Sequence, residues 1–334
     1  MNSQTEQQAP SYPWYDDRVE DLRQNLADPE EDYEDQSALY DTPKKIYEYL
    51  CQRVWKQEEA KRAASIIMYN CLHGIKSNAI FIGPSGCGKT FLFRCLKQIF
   101  RDRIELADGS SITQEGWAGS TKWRDLLRAP IFRSGENAIL VIDEADKMLT
   151  PRHNSSYENV SHSTQAEGLT LMEGTRVSIK DGSIVREIDT SKISFVLCGA
   201  FSNKAHDIAE KSSGARIGFG AAPEPVQPYA RPLTELDLTD FGVMPEFMGR
   251  IQRIVNLQPM TADDYYEMTA RLGPVLWHIR QQYGVKVRLT SEKRRELAEM
   301  AYRTGLGVRG IENRIKQLLD DARFDQCEQR SFEF

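Results

Sequence analysis

The run Gly83-Pro84-Ser85-Gly86-Cys87-Gly88-Lys89-Thr90 fits G-x-x-x-x-G-K-[ST] without a mismatch. Glycines at these positions let backbone N–H groups curl around phosphate oxygens, and a helix starting at the lysine adds its positive dipole end. Lys89 reaches β- and γ-phosphates, and the Thr90 hydroxyl offers a ligand to Mg2+. The alternative is a Gly-rich turn with a chance Lys-Thr. Cys87 sits inside the run at a helix start, where a thiol pKa can fall. Two readings stay open for it, a redox role and a tolerated small residue.

A second constellation lies downstream. The apolar run 138–142 ends in Asp143 and Glu144. In parallel sheets, the ends of strands face the ligand crevice. Asp143 there holds Mg2+ directly or through its waters, and Glu144 polarises a water for attack on a γ-phosphate. Paired acids beside an apolar strand point to hydrolysis in addition to binding. A solvated loop start is the alternative. For Asp146 and Lys147 a solvated helix start is the expected role.

Elements must hold these residues in place. Ala79-Ile80-Phe81-Ile82 reads as a buried strand ahead of the glycine run, and 91–100 reads as the helix after it. Helical spacing covers 44–54 and 57–72. Strands are expected at 104–107, 138–142 and 193–197, with a hairpin at 177–180 and 183–188 turning on Asp181-Gly182. Strands alternating with helices predict a parallel sheet sandwiched by helices. Residues 203–240 show weak periodicity and are expected to be irregular. After Pro259 the pattern is mainly helical, apart from a strand at 285–289, with Thr290 or Ser291 capping the helix that follows.

The bulk properties set limits. With 334 residues, the chain suits about two domains at roughly 100–200 residues each. Lys plus Arg total 43 and Asp plus Glu 49, a net charge of -6, which argues against a dedicated nucleic-acid binder. No apolar run approaches the ~20 residues that span a bilayer. The first residues lack a basic-then-apolar leader, so a cytoplasmic location is expected. The six cysteines show no metal-ligand spacing, and disulfides are not expected. Residues 1–41 are acidic and poor in aliphatic side chains, the composition of a disordered tail.

Taken together, these motifs resemble the AAA+ ATPases, and specifically the ClpX-type unfoldases, over about 43–321. Pro43 to Tyr47 resembles the family's entry helix. Val54-Trp55-Lys56-Gln57 resembles its adenine-side box, with Trp55 and Lys56 departing from the usual pair. Ser161 to Gln165, through Met172-Glu173-Gly174-Thr175, is similar to the helix that ends in "EGT". Met244-Pro245-Glu246-Phe247-Met248-Gly249-Arg250 resembles the arginine-finger box, which implies that Arg250 reaches a neighbour's γ-phosphate; a surface ion pair is the alternative. Gly307-Val308-Arg309-Gly310-Ile311 resembles the sensor box of the small domain, which implies that Arg309 touches the nucleotide. Cys198 falls near the first sensor position.

The resemblance implies a 42–258 ATPase domain and a 259–334 helical lid. It implies ATP and Mg2+ as cofactors, with catalytic Lys89, Glu144 and Arg250. The nucleotide would be bound by Gly83 to Thr90, Phe91, Val54, Trp55, Asp143 and Arg309, and the metal by Thr90 and Asp143. Gly116-Trp117-Ala118-Gly119 resembles a substrate-gripping pore loop, against the alternative of a core tryptophan. Ile217-Gly218-Phe219, within Ile217 to Ala221, matches the loop that docks a ClpP-like peptidase, against the alternative of an apolar pair tucked into the core. A homo-oligomeric ring, most simply a hexamer, is implied, with protein substrates and neither membrane nor nucleic acid as partner. The acidic segment stands where the family carries an N-terminal zinc-binding domain, and 178–187 lacks an evident basic substrate loop. The expected activity is ATP-driven protein unfolding that feeds a peptidase. The rivals are a peptidase-independent remodeller and an AAA+ protein acting on nucleic acid.

The role of Glu144 yields a direct test. Glu144→Gln is expected to bind ATP normally and turn it over slower by ~10²–10⁴, the range for loss of a general base. Phosphate release measured beside nucleotide binding checks this; near-normal turnover removes Glu144 from the chemistry.

Overall fold

Short, wholly apolar strands are stable only where both faces are covered. β1 (Ala79–Ile82) and β6 (Ile193–Gly199) are buried throughout, and β3 (Ala138–Asp143) is buried up to its last residue. Alternate residues supply two separate cores. Phe81, Ile139, Val141, Val196 and Cys198 face one, while Ile80, Ile82, Leu140, Phe195 and Leu197 face the other.

The computed structural model describes residues 36–112, 121–151, 160–181, 184–212, 228–270, 272–325 and 328–334. The chain divides into two units, Met1–Leu39 and Tyr40–Phe334. In the first, Gln36–Leu39 form a single 3-10 turn. The second begins with α1 (Pro43–Arg53) and α2 (Glu58–Leu72), then β1, α3 (Lys89–Ile99), β2 (Ile104–Asp108), α4 (Trp123–Leu126) and β3. There follow α5 (Ala145–Leu149), α6 (Val160–Glu173), the hairpin β4 (Arg176–Asp181) and β5 (Ile184–Asp189), β6, α7 (Ser202–Ser212), α8 (Glu235–Phe241), α9 (Pro245–Met248) and β7 (Arg253–Asn256). The rest is helical: α10 (Ala262–Thr269), α11 (Gly273–Tyr283), α12 (Ser291–Thr304) and α13 (Gly307–Asp325), with β8 (Lys286–Arg288) and β9 (Ser331–Glu333) forming a parallel pair.

The main sheet runs β2-β3-β6-β1-β7 and is parallel throughout. It is an α/β fold of a helix-covered parallel sheet followed by a helical region. Among the described residues, no helix is long and apolar enough to cross a membrane.

Four elements of the fold depart from the sequence reading. The stretch 203–240, expected to be irregular, carries α7 and α8 at its two ends. Thr234 caps α8 through a reciprocal box with Asp237. β7 was not expected. Its four residues follow the helix-and-turn box of Arg250, and its pairing to β1 is non-local. β9 was missed for the same reason, since Ser331–Glu333 is a strand only beside β8. The hairpin forms, but its register pairs Asp181 with Ile184, so Asp181 belongs to β4 and not to the turn.

Trp123 anchors the segment that follows the 113–120 stretch. Its indole Nε1 donates to the Thr164 carbonyl at 2.8 Å, and its ring lies over Gly168 of α6. A Cβ on Gly168 would come within 2.5 Å of Cζ2. Helix propensity alone favours Gly168→Ala by about 1 kcal/mol. Overpacking against a fully buried ring costs about 1–3 kcal/mol. The clash is too deep for the upper end to be avoided, so Gly168→Ala is expected to lower stability by about 1–2 kcal/mol in urea unfolding. A gain in stability would mean that the indole does not fill this notch.

Candidate functional site

The parallel register brings the two motifs to one edge of the sheet. Ile82 pairs with Gly199 and Ile142 with Leu197, so Gly83 and Asp143 emerge at the same end of the sheet. Only β6 separates their strands, which places them roughly 10 Å apart at the usual strand spacing. The run 83–90 joins β1 to α3, with Gly86 at φ +76° and Gly88 at φ +97°, conformations that favour glycine. The Lys89 ammonium sits inside the loop and donates to the carbonyls of Gly83 at 2.7 Å and Pro84 at 2.8 Å. Thr90 is half-buried in the first turn of α3, and Phe91 is exposed beside it. A curled backbone, a helix N-terminus and a confined cation suit a polyphosphate.

Asp143 is half-buried at the tip of β3, and its Oδ1 accepts from the Glu144 backbone N–H at 3.0 Å. Glu144 is exposed and left-handed at φ 51°, which turns the chain sharply into α5. Asp146 corrects the expectation of a solvated helix start: it is only 7% exposed and accepts from the Phe201 N–H at 3.3 Å. That bond ties the helix after the acidic pair to the segment leaving β6. Lys147 is exposed, as expected.

Cys87 is buried, and burial raises its thiol pKa against the opposing pull of Lys89 and nearby N–H groups. The lowered pKa that a redox role needs is therefore absent. Burial, followed by the charge of Asp143, likewise pushes the Cys198 thiol up. Cys51, Cys71, Cys87, Cys95 and Cys198 are free thiols.

The 54–57 box is an anchor point as well. Val54 is buried and caps α1, while Lys56 and Gln57 are both left-handed. Asp264, at the start of α10, collects the adjacent donors: Trp55 Nε1 at 3.3 Å, Lys56 Nζ at 2.8 Å and Thr261 N at 2.8 Å. Burial alone would raise the Asp264 pKa, but these bonds outweigh it and hold the carboxyl below the ordinary aspartate value. The resulting stabilisation is present above the ordinary value and is lost as pH falls through the lowered one. Gln57 adds two bonds to the Gln258 backbone, both 2.8 Å. Sequence reasoning missed Asp264; the Thr261-x-x-Asp264 spacing of a capping box was its signal.

The helical region meets the phosphate loop directly. Gly307 opens α13 at φ +60°, and a Cβ on it would lie 2.9 Å from the Gly86 Cα. Arg309, two residues on, is exposed. Arg250 follows α9 and is exposed, with Nη2 donating to Glu173 Oε1 at 2.6 Å. This is the kind of contact that its alternative reading expects. Asn78, unnoticed in the sequence, holds this region. It is 2% exposed, donates to the Arg250 carbonyl at 3.1 Å and accepts from Phe195 N at 2.9 Å. The candidate pore residues Gly116 to Gly119 and the candidate docking residues Ile217 to Phe219 lie outside the described residues.

A parallel sheet with a glycine-rich phosphate loop after one strand, and an acidic pair ending another, defines a P-loop nucleotide-hydrolysing domain. Residues 79–212 match the family described as "ATPase family associated with various cellular activities (AAA)". The chain is 28% identical over 331 residues to the ATP-dependent Clp protease ATP-binding subunit ClpX of Treponema denticola, covering 87% of this chain and 79% of that protein. It is 29% identical over 319 residues to the protein of the same name from Porphyromonas gingivalis, covering 84% and 77%. Residues 79–212 therefore carry an AAA-type ATPase domain, the chain as a whole is similar to ClpX-named proteins, and the protein is an enzyme that hydrolyses ATP.

The contact between Gly86 and Gly307 can be tested. Gly307→Ala is expected to weaken ATP binding roughly tenfold, about 1.4 kcal/mol. Gly305→Ala is the control, because Gly305 has φ +67° but open space around it. Equal losses in both, by fluorescent-nucleotide titration, would assign the effect to backbone strain alone.

Proposed function

We propose that this ATPase is a protein unfoldase and translocase of the ClpX type that feeds a ClpP-like peptidase. The observation that carries the reading is the seating of α13 against the phosphate loop. Gly307 touches Gly86, and Asp264 ties the adenine-side box to α10. Occupancy of the loop then bears directly on the position of the helical region, which is what a motor needs. The similarity to ClpX-named proteins over more than three quarters of their length supports the same reading.

In this reading 42–258 is the ATPase domain, 259–334 its lid and 1–41 an acidic tail. Lys89 and the 83–90 backbone hold the β- and γ-phosphates, with Phe91, Val54, Trp55 and Arg309 completing the pocket. Thr90 and Asp143 fit a Mg2+ site, since a hydroxyl and a carboxylate on the sheet edge are hard oxygen donors. The ion supplies charge neutralisation for the phosphates. Glu144 takes a proton from the attacking water. Subunits form a hexameric ring, and Arg250 of each reaches the next subunit's γ-phosphate, where its fixed charge stabilises the transition state. Trp117, between Gly116 and Ala118-Gly119, grips the substrate by shape and apolar contact. Ile217 and Phe219 on either side of Gly218 dock the peptidase.

The test uses a stably folded fluorescent substrate, ATP and an added ClpP-type peptidase. ATP-dependent loss of fluorescence with peptide release is the expected result. Unfolding without release favours the remodeller, and no unfolding overturns the reading. Burying an apolar side chain in a socket gains roughly 1.5–3 kcal/mol, and several loops per ring multiply the effect. Ile217→Ser with Phe219→Ser is therefore expected to abolish peptide release and leave ATP turnover and unfolding near normal. Lost turnover would mark the segment as structural.

A further inference from the structure

We propose that Glu173 is the positioning residue for Arg250, holding its guanidinium in the orientation that enters the neighbouring subunit's site. The proposal rests on the reading of Arg250 as acting in trans. Arg250 has a fixed main chain. Its N–H donates to the Phe247 carbonyl at 3.1 Å, and its own carbonyl accepts from the buried Asn78. The side chain beyond is 48% exposed. A long cation with a fixed base and a free tip samples many rotamers, and most of them point away from any one phosphate.

Glu173 supplies the missing restraint. It ends α6, and α6 is held along its length by buried contacts. Gln165, 1% exposed, donates to the Gly242 carbonyl at 3.0 Å and accepts from Met244 N at 2.8 Å, which clamps α6 to the start of the Arg250 box. Trp123 is keyed into α6 at Gly168. Gly174, left-handed at φ +95°, packs against Ser191 just beyond the helix end, and Lys76 donates to the Thr190 carbonyl at 2.8 Å beside it. The carboxylate therefore stands on the same rigid piece that positions the Arg250 backbone.

The geometry of the pair favours orientation over neutralisation. Glu173 Oε1 takes one N–H direction, from Nη2 at 2.6 Å. A guanidinium carries five N–H donors in a planar fork, so the remaining edge stays open to a phosphate. A pair this exposed, with Glu173 at 41%, adds little to stability. Its effect belongs to the rate. The interaction joins residues 77 apart in sequence, both inside the segments singled out by their motifs.

The experiment measures ATP turnover by assembled full-length chain for Glu173→Ala, Glu173→Asp, Arg250→Ala and the Arg250→Ala/Glu173→Ala double variant. Misorienting a reacting group by about an ångström costs up to ~10²-fold, so Glu173→Ala, which removes the acceptor, is expected to lower kcat about five- to tenfold with KM for ATP within about twofold. Glu173→Asp should recover part of the loss. In the Arg250→Ala background, Glu173→Ala should cost nothing further. An unchanged kcat in Glu173→Ala makes the pair an inert surface contact and overturns the proposal. An additional loss in the double variant also overturns it, because Glu173 then acts by another route. Should Glu173→Ala fail to fold or assemble, a full-rate Glu173→Asp that has lost the contact overturns the proposal, and a partial kcat loss absent from Arg250→Ala/Glu173→Asp supports it. Arg250→Ala alone decides the underlying reading: near-normal turnover there removes Arg250 from the chemistry, whatever Glu173 does.

Discussion

Burial of β1, β3 and β6 on both faces is the constraint from which the site follows. Strands covered on two sides leave no room for a charged side chain along their length, because an unpaired buried charge costs far more than its neighbours return. Chemistry is therefore pushed to the strand ends. A parallel sheet puts those ends at one edge, and there the phosphate loop and the Asp143-Glu144 pair meet, with β6 between them. The two-sided core also explains why these strands are continuously apolar in sequence while feeding separate clusters in space.

Within that apolar frame, a few buried polar side chains set the position of everything that is not strand. Asn78 joins β6 to the Arg250 box, Gln165 joins α6 to the same box, and Asp146 joins α5 to the chain leaving β6. Each satisfies backbone groups that would otherwise be orphaned, and the energetic asymmetry of hydrogen bonding makes such links hard to displace. They convert a loosely connected rim into a set of rods with fixed ends.

The phosphate loop and the helical region touch through two glycines, with no side chain between them. Contact of that kind transmits small displacements without slack, since backbone cannot rotate out of the way as a side chain does. Asp264 makes a second connection at the 54–57 box, through donors from both segments. The sheet edge and the helices that follow it are thereby joined at two points.

The phosphate-loop and acidic-pair motifs were legible in the sequence because they depend on local order. Gly83 to Thr90 must be contiguous to curl around phosphate, and Asp143-Glu144 must follow an apolar strand; both conditions are visible in a linear string. The main helices and four of the five sheet strands were legible for the same reason, as apolar period is a local property. Non-local pairing decided the rest. β7 and β9 are strands only because β1 and β8 lie beside them, and the α7 and α8 ends of 203–240 were masked by the weak pattern between them. Asn78 and Gln165 are polar residues with nothing in their immediate sequence to mark them as buried, and the capping-box spacing of Asp264 does not disclose its bonds to Trp55 and Lys56. Their roles arise from partners as many as 209 residues away. The sequence determined what the site can do chemically; the tertiary structure decided which residues hold it there, because only folding reveals which polar groups lose water and must find one another.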